Sequence, residues 1–331
     1  MSDLKFGLIL SNRNVVLGHN TAGDMLDMAQ QADANPIMES VWIGDSLFVN
    51  PRLDFLTVLT AIAARTERVL LGPACMGSFA IRDPLVFAHQ WVGLDQISSG
   101  RARLIVCAGG GAGPVWDAES RALGIKPKDR RRRMLENMTI LSHLWTRDNQ
   151  PFNGEFRSFD GLAMEPKPSA GGAQIWLATN AKRMSAVSGT DEASEISVNR
   201  VARYADGWMT HTIKPDSFRA SWTRILDAAS QLGRETAHFD NCLYFNISID
   251  DDRSRALKNA STFLNEYYNF EFSQGQLDQM LTWGSPAECI EALQAYRDSG
   301  VNRVAFRLCN SVDQFGQLDR LTNEVLPYVN T

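Results

Sequence analysis

Short apolar runs alternate with amphipathic stretches from one end of the chain to the other. The runs that read as strands are Lys5–Leu10, Ser40–Ile43, Val69–Gly72, Ala102–Val106, Gln174–Ala178, Gly207–Thr210, Cys242–Ile249 and Arg303–Arg307. Stretches with helical periodicity lie between them: Thr21–Ala34, Asp54–Arg65, Pro84–Ser98, Arg130–Trp145, Pro215–Leu232, Ser254–Tyr267 and Pro286–Ser299, with a closing helix around Gln314–Val325. Runs that are apolar throughout suit strands covered on both faces, and parallel strands need helical crossovers between them. This alternation predicts an α/β fold. Eight units in 331 residues fit a closed (β/α)8 TIM barrel, one domain over residues 1–331, better than an open doubly wound sheet.

Punctuation supports these boundaries. Pro84, Pro215 and Pro286 follow Asp83, Lys214 and Ser285, placing proline in a first turn where its missing N–H is not needed. Ser99-Gly100 and Ser299-Gly300 stop helices just before strands. Two segments break the rhythm and are expected as insertions after the fourth and fifth strands. Asn149–Ala173, with Phe152, Phe156 and Phe159, reads as an excursion carrying a short hairpin. Met184–Ser197, rich in Ser, Gly, Thr and Glu, reads either as a lid over the barrel mouth or as a surface insertion.

Composition narrows the class. With 44% hydrophobic and 21% charged residues, including 8 Trp and 16 Phe, the chain can build a sizeable core. A net charge of -5 and one short basic run, Arg130–Arg133, argue against nucleic-acid binding. The 5 Cys at positions 75, 107, 242, 289 and 309 form no CxxC pair, and the 5 His form neither HxH nor HExxH, so no metal site is expected. Sparse, odd cysteines suggest reduced thiols and a cytoplasmic setting. No signal-peptide pattern opens the chain, and no apolar stretch approaches the ~18 residues of a membrane span.

In a barrel, ligands meet the C-terminal ends of the strands. Those ends carry Ser11-Asn12-Arg13, Gly44-Asp45-Ser46, Ala74-Cys75, Cys107 and Thr179-Asn180, with His211 after the sixth strand. Asp45 can serve as a general acid/base or cap its turn; Cys107 can be a reactive thiol or a small buried hydrophobe. Asp45, Ser46, Cys107 and His211 are the candidate catalytic residues. The glycines at 109–111 lack the GxGxxG form of a dinucleotide loop and suit close approach to a planar ligand.

Taken in order, several segments resemble the bacterial luciferase-like monooxygenase superfamily. They are Glu39–Asp45, Ala64–Val69, Arg82-Asp83-Pro84, Leu94–Arg101, Arg133–Trp145, Phe152-Asn153-Gly154, Pro166-Lys167-Pro168, Ile175-Trp176, Tyr204–Trp208 and Glu324–Pro327. The series spans nearly the whole chain, and its order is what makes it specific. The resemblance implies a flavin, or the related 8-hydroxy-5-deazaflavin (coenzyme F-420), stacked at the strand ends. It also implies a non-proline cis peptide at Ala74-Cys75, and places Cys107 where bacterial luciferase has a reactive cysteine.

Three departures bear on this: Ser46 stands where many relatives have His, Thr179-Asn180 replaces Gly-Gly, and Ala108 follows Cys107 where luciferase has a basic residue. Cofactor contacts are therefore expected from Ala74, Cys75, Cys107, Thr179, Asn180 and Arg200, the phosphate taking backbone N–H groups near Thr179 and Asn180 with Lys182, Arg183 or Arg200. The resulting expectation is a two-component monooxygenase using reduced FMN from a separate NAD(P)H:flavin reductase, and O2, on a small organic substrate. A homodimer is expected by analogy. A deazaflavin-dependent hydride-transfer enzyme and a non-catalytic flavin-binding protein are the alternatives.

Overall fold

The structure, a computed structural model, describes residues 3–109, 113–170, 172–180 and 191–331, with only the backbone for 191–193. All eight expected barrel strands form: β1 (Lys5–Leu10), β2 (Met38–Ile43), β3 (Leu70–Pro73), β4 (Leu104–Val106), β7 (Ile175–Ala178), β8 (Gly207–His211), β9 (Asp240–Ile249) and β11 (Arg303–Leu308). Between β4 and β7 lies a hairpin, β5 (Phe152–Asn153) and β6 (Ser158–Phe159), and β10 (Leu281–Gly284) adds to β9. The barrel strands pair in parallel in the order β3-β2-β1-β11-β9-β8-β7-β4. Parallel bridges Leu71–Ala102 and Met76–Val106 bring the two ends of this sheet together, giving the expected TIM barrel.

The helices are α1 (Asn12–Leu17), α2 (Ala22–Ala34), α3 (Phe55–Ala63), α4 (Pro84–Ile97), α5 (Pro114–Ala122) and α6 (Arg130–Thr146). Then follow α7 (Asp191–Tyr204), α8 (Pro215–Gln231), α9 (Arg253–Tyr268), α10 (Gln274–Met280), α11 (Pro286–Asp298) and α12 (Gln314–Arg320). Local chemistry starts them where the sequence suggests. The Asp54 carboxylate accepts the Leu56 and Thr57 N–H groups, and Asp83 accepts those of Leu85 and Val86 ahead of Pro84. Ser285 and Glu288 form a reciprocal capping box at Pro286. Each such cap satisfies donors that the first helical turn leaves open.

The excursion after β4 contains α5, α6 and the hairpin. The Glu136 carboxylate accepts the Phe156 and Arg157 N–H groups at 3.0 and 2.8 Å, while Phe152 and Phe159 stack at 5.5 Å against His143. After β7 the structure corrects the sequence reading. Residues 191–197 of the expected lid belong to the crossover helix α7, and 184–190 lie outside the described residues. Val198, Val201, Ala202 and Ala205 are buried at spacings of three and four, so a polar composition conceals an apolar stripe. A further excursion, α10 and β10, follows β9 and was not foreseen.

One residue from each barrel strand or its first residue beyond fills the interior: Ile9, Trp42, Ala74, Ile105, Trp176, Met209, Cys242 and Ala305. This apolar plug leaves the C-terminal ends of the strands as the place where polar side chains meet. Among the described residues no helix is long and apolar enough to cross a membrane.

Candidate active site

The end of β3 carries a cis, non-proline Ala74–Cys75 peptide, as the resemblance implies. Ala74 belongs to the interior plug, and Cys75, Ala178 and Tyr244 pack on it from above. The Cys75 and Cys107 sulfurs are 2.6 Å apart, both as free thiols. The hydrogen bond between them, with burial opposing, brings the Cys107 thiol below its ordinary value of 9.0; the same bond and burial push Cys75 well above it. Cys107 is thus the acceptor of the pair and Cys75 the donor.

Asp45 sits at the end of β2 with its side chain 1% exposed. Its Oδ2 accepts the Ser78 N–H at 2.7 Å, while Oδ1 lies 3.8 Å from the Arg82 guanidinium, beyond hydrogen-bond reach. Burial raises its pKa above 3.8, against the opposing hydrogen bonds of Ser78 and the charge of Arg82. Arg82 is itself fixed by Asp54 at 2.6 Å and by Ser78 Oγ at 2.7 Å. Asp45 therefore ties the β3 loop to the β2 end, which is the capping alternative rather than an exposed acid.

The β3 and β4 loops are also bolted together. Gly109 has φ +56°, and a Cβ there would lie 1.8 Å from the Gly77 carbonyl oxygen. Arg130, nearly buried, donates to the carbonyls of Gly77 and Ala108 at 3.2 Å each and to Ser120 Oγ at 2.9 Å. Beside these loops opens a cavity of about 340 Å³ whose charged lining is Lys128, Arg130, Arg131 and Asp117, with Arg130 paired to the buried Glu119 at 3.4 Å, so that the lining is cationic on balance. Arg200, half-buried on α7, has its pKa lowered by burial and then by Arg131, so a third guanidinium lies close to this cavity.

The other candidates fare differently. Ser46 Oγ donates to the Val49 carbonyl within its own loop, so it does not replace the missing histidine. The Thr179 N–H is given to the Met209 carbonyl at 3.0 Å, which removes it as a phosphate donor; sheet pairing continues one residue past β7. The Asn180 side chain donates to the carbonyls of His211 and Thr212, tying the ends of β7 and β8. His211 ends β8 but is exposed, its Nδ1 2.7 Å from Thr212 Oγ1. Lys182 and Arg183 lie outside the described residues.

One group escaped the sequence reading altogether. Arg307 on β11 is 3% exposed, donates to Tyr268 OH at 2.8 Å, and lies 4.0 Å from the Tyr267 ring centroid and 4.8 Å from that of Tyr244. The signal was available: Ala305 faces the barrel interior, so strand alternation turns Arg307 inward as well.

Ser11 Oγ, Asn12 Oδ1, Asp45 Oδ1 and Tyr244 OH are buried without a hydrogen-bond partner among the described residues. Ser11, Asn12 and Asp45 stand just past the ends of β1 and β2, and Tyr244 lies within β9, packed on the interior cluster beside Cys75 and Ala178. They fit the polar edge of a planar ring system resting over Ala74–Cys75, with a cationic cavity beside it for an anionic tail.

The model of the luciferase-like monooxygenase family matches residues 4–303. The chain belongs to that family. Among its curated relatives is an F420-dependent glucose-6-phosphate dehydrogenase of Nakamurella multipartita, 23% identical over 271 residues, 75% of this chain and 74% of that protein. An F420-dependent secondary alcohol dehydrogenase, solved with an F420-acetone adduct, matches the structure with TM-score 0.80 at 16% identity, over 100% of both chains. The monooxygenase RslO1 from Streptomyces bottropensis matches with TM-score 0.77 at 21% identity, over 98% of each. Relatives of this luciferase-like chain thus include dehydrogenases and monooxygenases, and it is an oxidoreductase.

Proposed function

We propose that this luciferase-like protein exchanges a hydride between a small organic substrate and coenzyme F-420 held at the strand ends. The observation that carries the reading is the floor of Ala74, Cys75 and Ala178 beside a cavity lined by Lys128 and Arg131, in a family where the F420-dependent relatives match most of the chain. Bound there, the deazaflavin would supply a ring carbon that accepts or gives the hydride. Ala74, Cys75 and Ala178 would support the face of the ring, and the interior plug beneath excludes water from that side. Lys128 and Arg131, with Arg200 close by, would hold the cofactor's anionic tail by charge-assisted hydrogen bonds. Asp45 would keep the supporting loop in place through Ser78.

The reduced-FMN monooxygenase expected from the sequence becomes the second reading, supported by the likeness to RslO1. Parallel equilibrium titrations with F-420 and with FMN test the choice. The proposal expects saturable binding of F-420 at least about tenfold tighter than FMN, a difference of ~1.4 kcal/mol. Tighter binding of FMN would transfer the reading to the monooxygenase.

A further inference from the structure

We propose that the arginine–tyrosine cluster above β1, β9 and β11 recognises a carboxylate or similarly planar anionic group on the substrate. This rests on reading the strand ends as the reaction site, and names the class of molecule that site receives. Three guanidiniums meet here. Arg307 is held by Tyr268 OH and by the faces of Tyr244 and Tyr267. Arg52 donates to Tyr267 OH at 3.0 Å and to the Asn50 carbonyl at 3.2 Å. Arg13, buried, donates to the Pro51 carbonyl at 3.2 Å.

Among the described residues none of these three guanidiniums forms an ion pair within 4.0 Å: Glu266, paired with His19, and Asp45, 3.8 Å from Arg82, act on Arg13 and Arg52 only from farther away. Tyrosine faces and carbonyls orient a guanidinium without cancelling its charge. Buried cations are otherwise paired, because an unpaired charge is costly away from water. The Nε of Arg307, the Nε of Arg13 and the Tyr244 hydroxyl all lack partners among the described residues, so donors remain available as well as charge. A carboxylate answers both needs, since its two oxygens match the planar guanidinium fork.

The cluster adjoins the proposed ring site. Tyr244 packs on the same interior cluster as Cys75 and Ala178. Gly44, the last residue before Asp45, leaves room that a Cβ would take: it would stand 2.5 Å from Arg52 Nη1 and 3.3 Å from Tyr267 OH. A substrate anchored by its anion at Arg307 would thus lie beside the ring floor.

Acetate, small enough to enter without shape constraints, is the probe, with acetamide as its neutral counterpart at matched ionic strength. Binding is read from the near-ultraviolet difference spectrum of the tyrosines in the full-length protein, and F-420 and FMN titrations are run separately on the same samples. We expect a saturable response to acetate and none to acetamide. Arg307→Met should weaken acetate at least about tenfold, the equivalent of one charged hydrogen bond, with Arg307→Lys in between and cofactor affinity retained. Equal responses to acetate and acetamide, no acetate response in the parent, or full acetate affinity in Arg307→Met would overturn the proposal. Should Arg307→Met fail to fold, Arg52→Met decides in the same way, unchanged acetate affinity counting against it. Failure of the parent to bind either cofactor would overturn the functional reading, and the acetate result would stand separately.

Discussion

Replacing Asp45 separates a positioning carboxylate from a catalytic one. In Asp45→Ala the buried Ser78 N–H loses its 2.7 Å charge-assisted bond, and an unsatisfied buried donor costs about 1–3 kcal/mol. Arg82 keeps Asp54 at 2.6 Å and Ser78 Oγ, so losing the 3.8 Å attraction to Asp45 adds little. Relief of the carboxylate's burial offsets part of the loss, leaving a net destabilisation of about 1–2 kcal/mol. Asp45→Asn keeps an acceptor for Ser78 without the buried charge and should stay within about 1 kcal/mol of the parent.

Urea unfolding followed by tryptophan fluorescence measures both variants, and F-420 titration measures the loop they support. Asp45→Ala should bind cofactor about tenfold more weakly, ~1.4 kcal/mol, whereas Asp45→Asn should bind nearly as the parent does. The pH dependence has a definite sign. The raised pKa means that the native state holds this proton more readily than the unfolded chain, so the group withdraws stability as pH rises from 3.8 through its native value. Asp45→Asn lacks that slope. If Asn weakens cofactor binding as much as Ala while remaining stable, the carboxylate acts on the ligand and the positioning argument fails.

Cys107→Ala should keep the fold, with a loss on the order of 1 kcal/mol from a small buried side chain, and most cofactor binding; insoluble protein would contradict this. Alkylation of cofactor-free protein should report Cys107 titrating below 9.0, and Cys75→Ala should move it upward; no movement would mean the sulfur pair does not set its acidity. Burial opposes ionisation of Tyr267, but Arg307 and Arg52 outweigh it and lower its pKa below 10.0. This group therefore adds stability as pH rises through its native pKa toward 10.0, an increment that Tyr267→Phe should lose in alkaline unfolding curves. Arg101 donates to the carbonyls of Ala63, Thr66, Val69 and Ser98 and to Thr66 Oγ1, so Arg101→Met should lower stability by about 2–4 kcal/mol without changing cofactor affinity. A selective loss of binding would show that Arg101 does more than anchor the face opposite the site.

The barrel was legible because its strands, covered on both sides, read as apolar runs, and several have a helix starter downstream. Pro84, Pro215 and Pro286 stand at the first helical positions, as their neighbours suggest. Helix α7 was hidden by serines, two of which, Ser194 and Ser197, are buried beside Val198 and Val201. The four residues of β10 are too few to show a period, and their strand character comes from pairing with β9. At the site, Ala74, Cys75, Cys107 and Asp45 were readable from strand ends alone. The roles of Ser46, Thr179 and Asn180 were not, because each depends on which carbonyl the fold brings near. The Arg307 cluster joins β11 to the end of α9 and to the loop after β2, contacts that exist only once the barrel closes.

A crystal structure of the protein with coenzyme F-420 tests the central claim most directly. The account predicts the deazaflavin ring lying on Ala74–Cys75 with Cys107 at its edge, and its anionic tail running toward Lys128 and Arg131. Ring density elsewhere, or a tail directed away from that cavity, would contradict it.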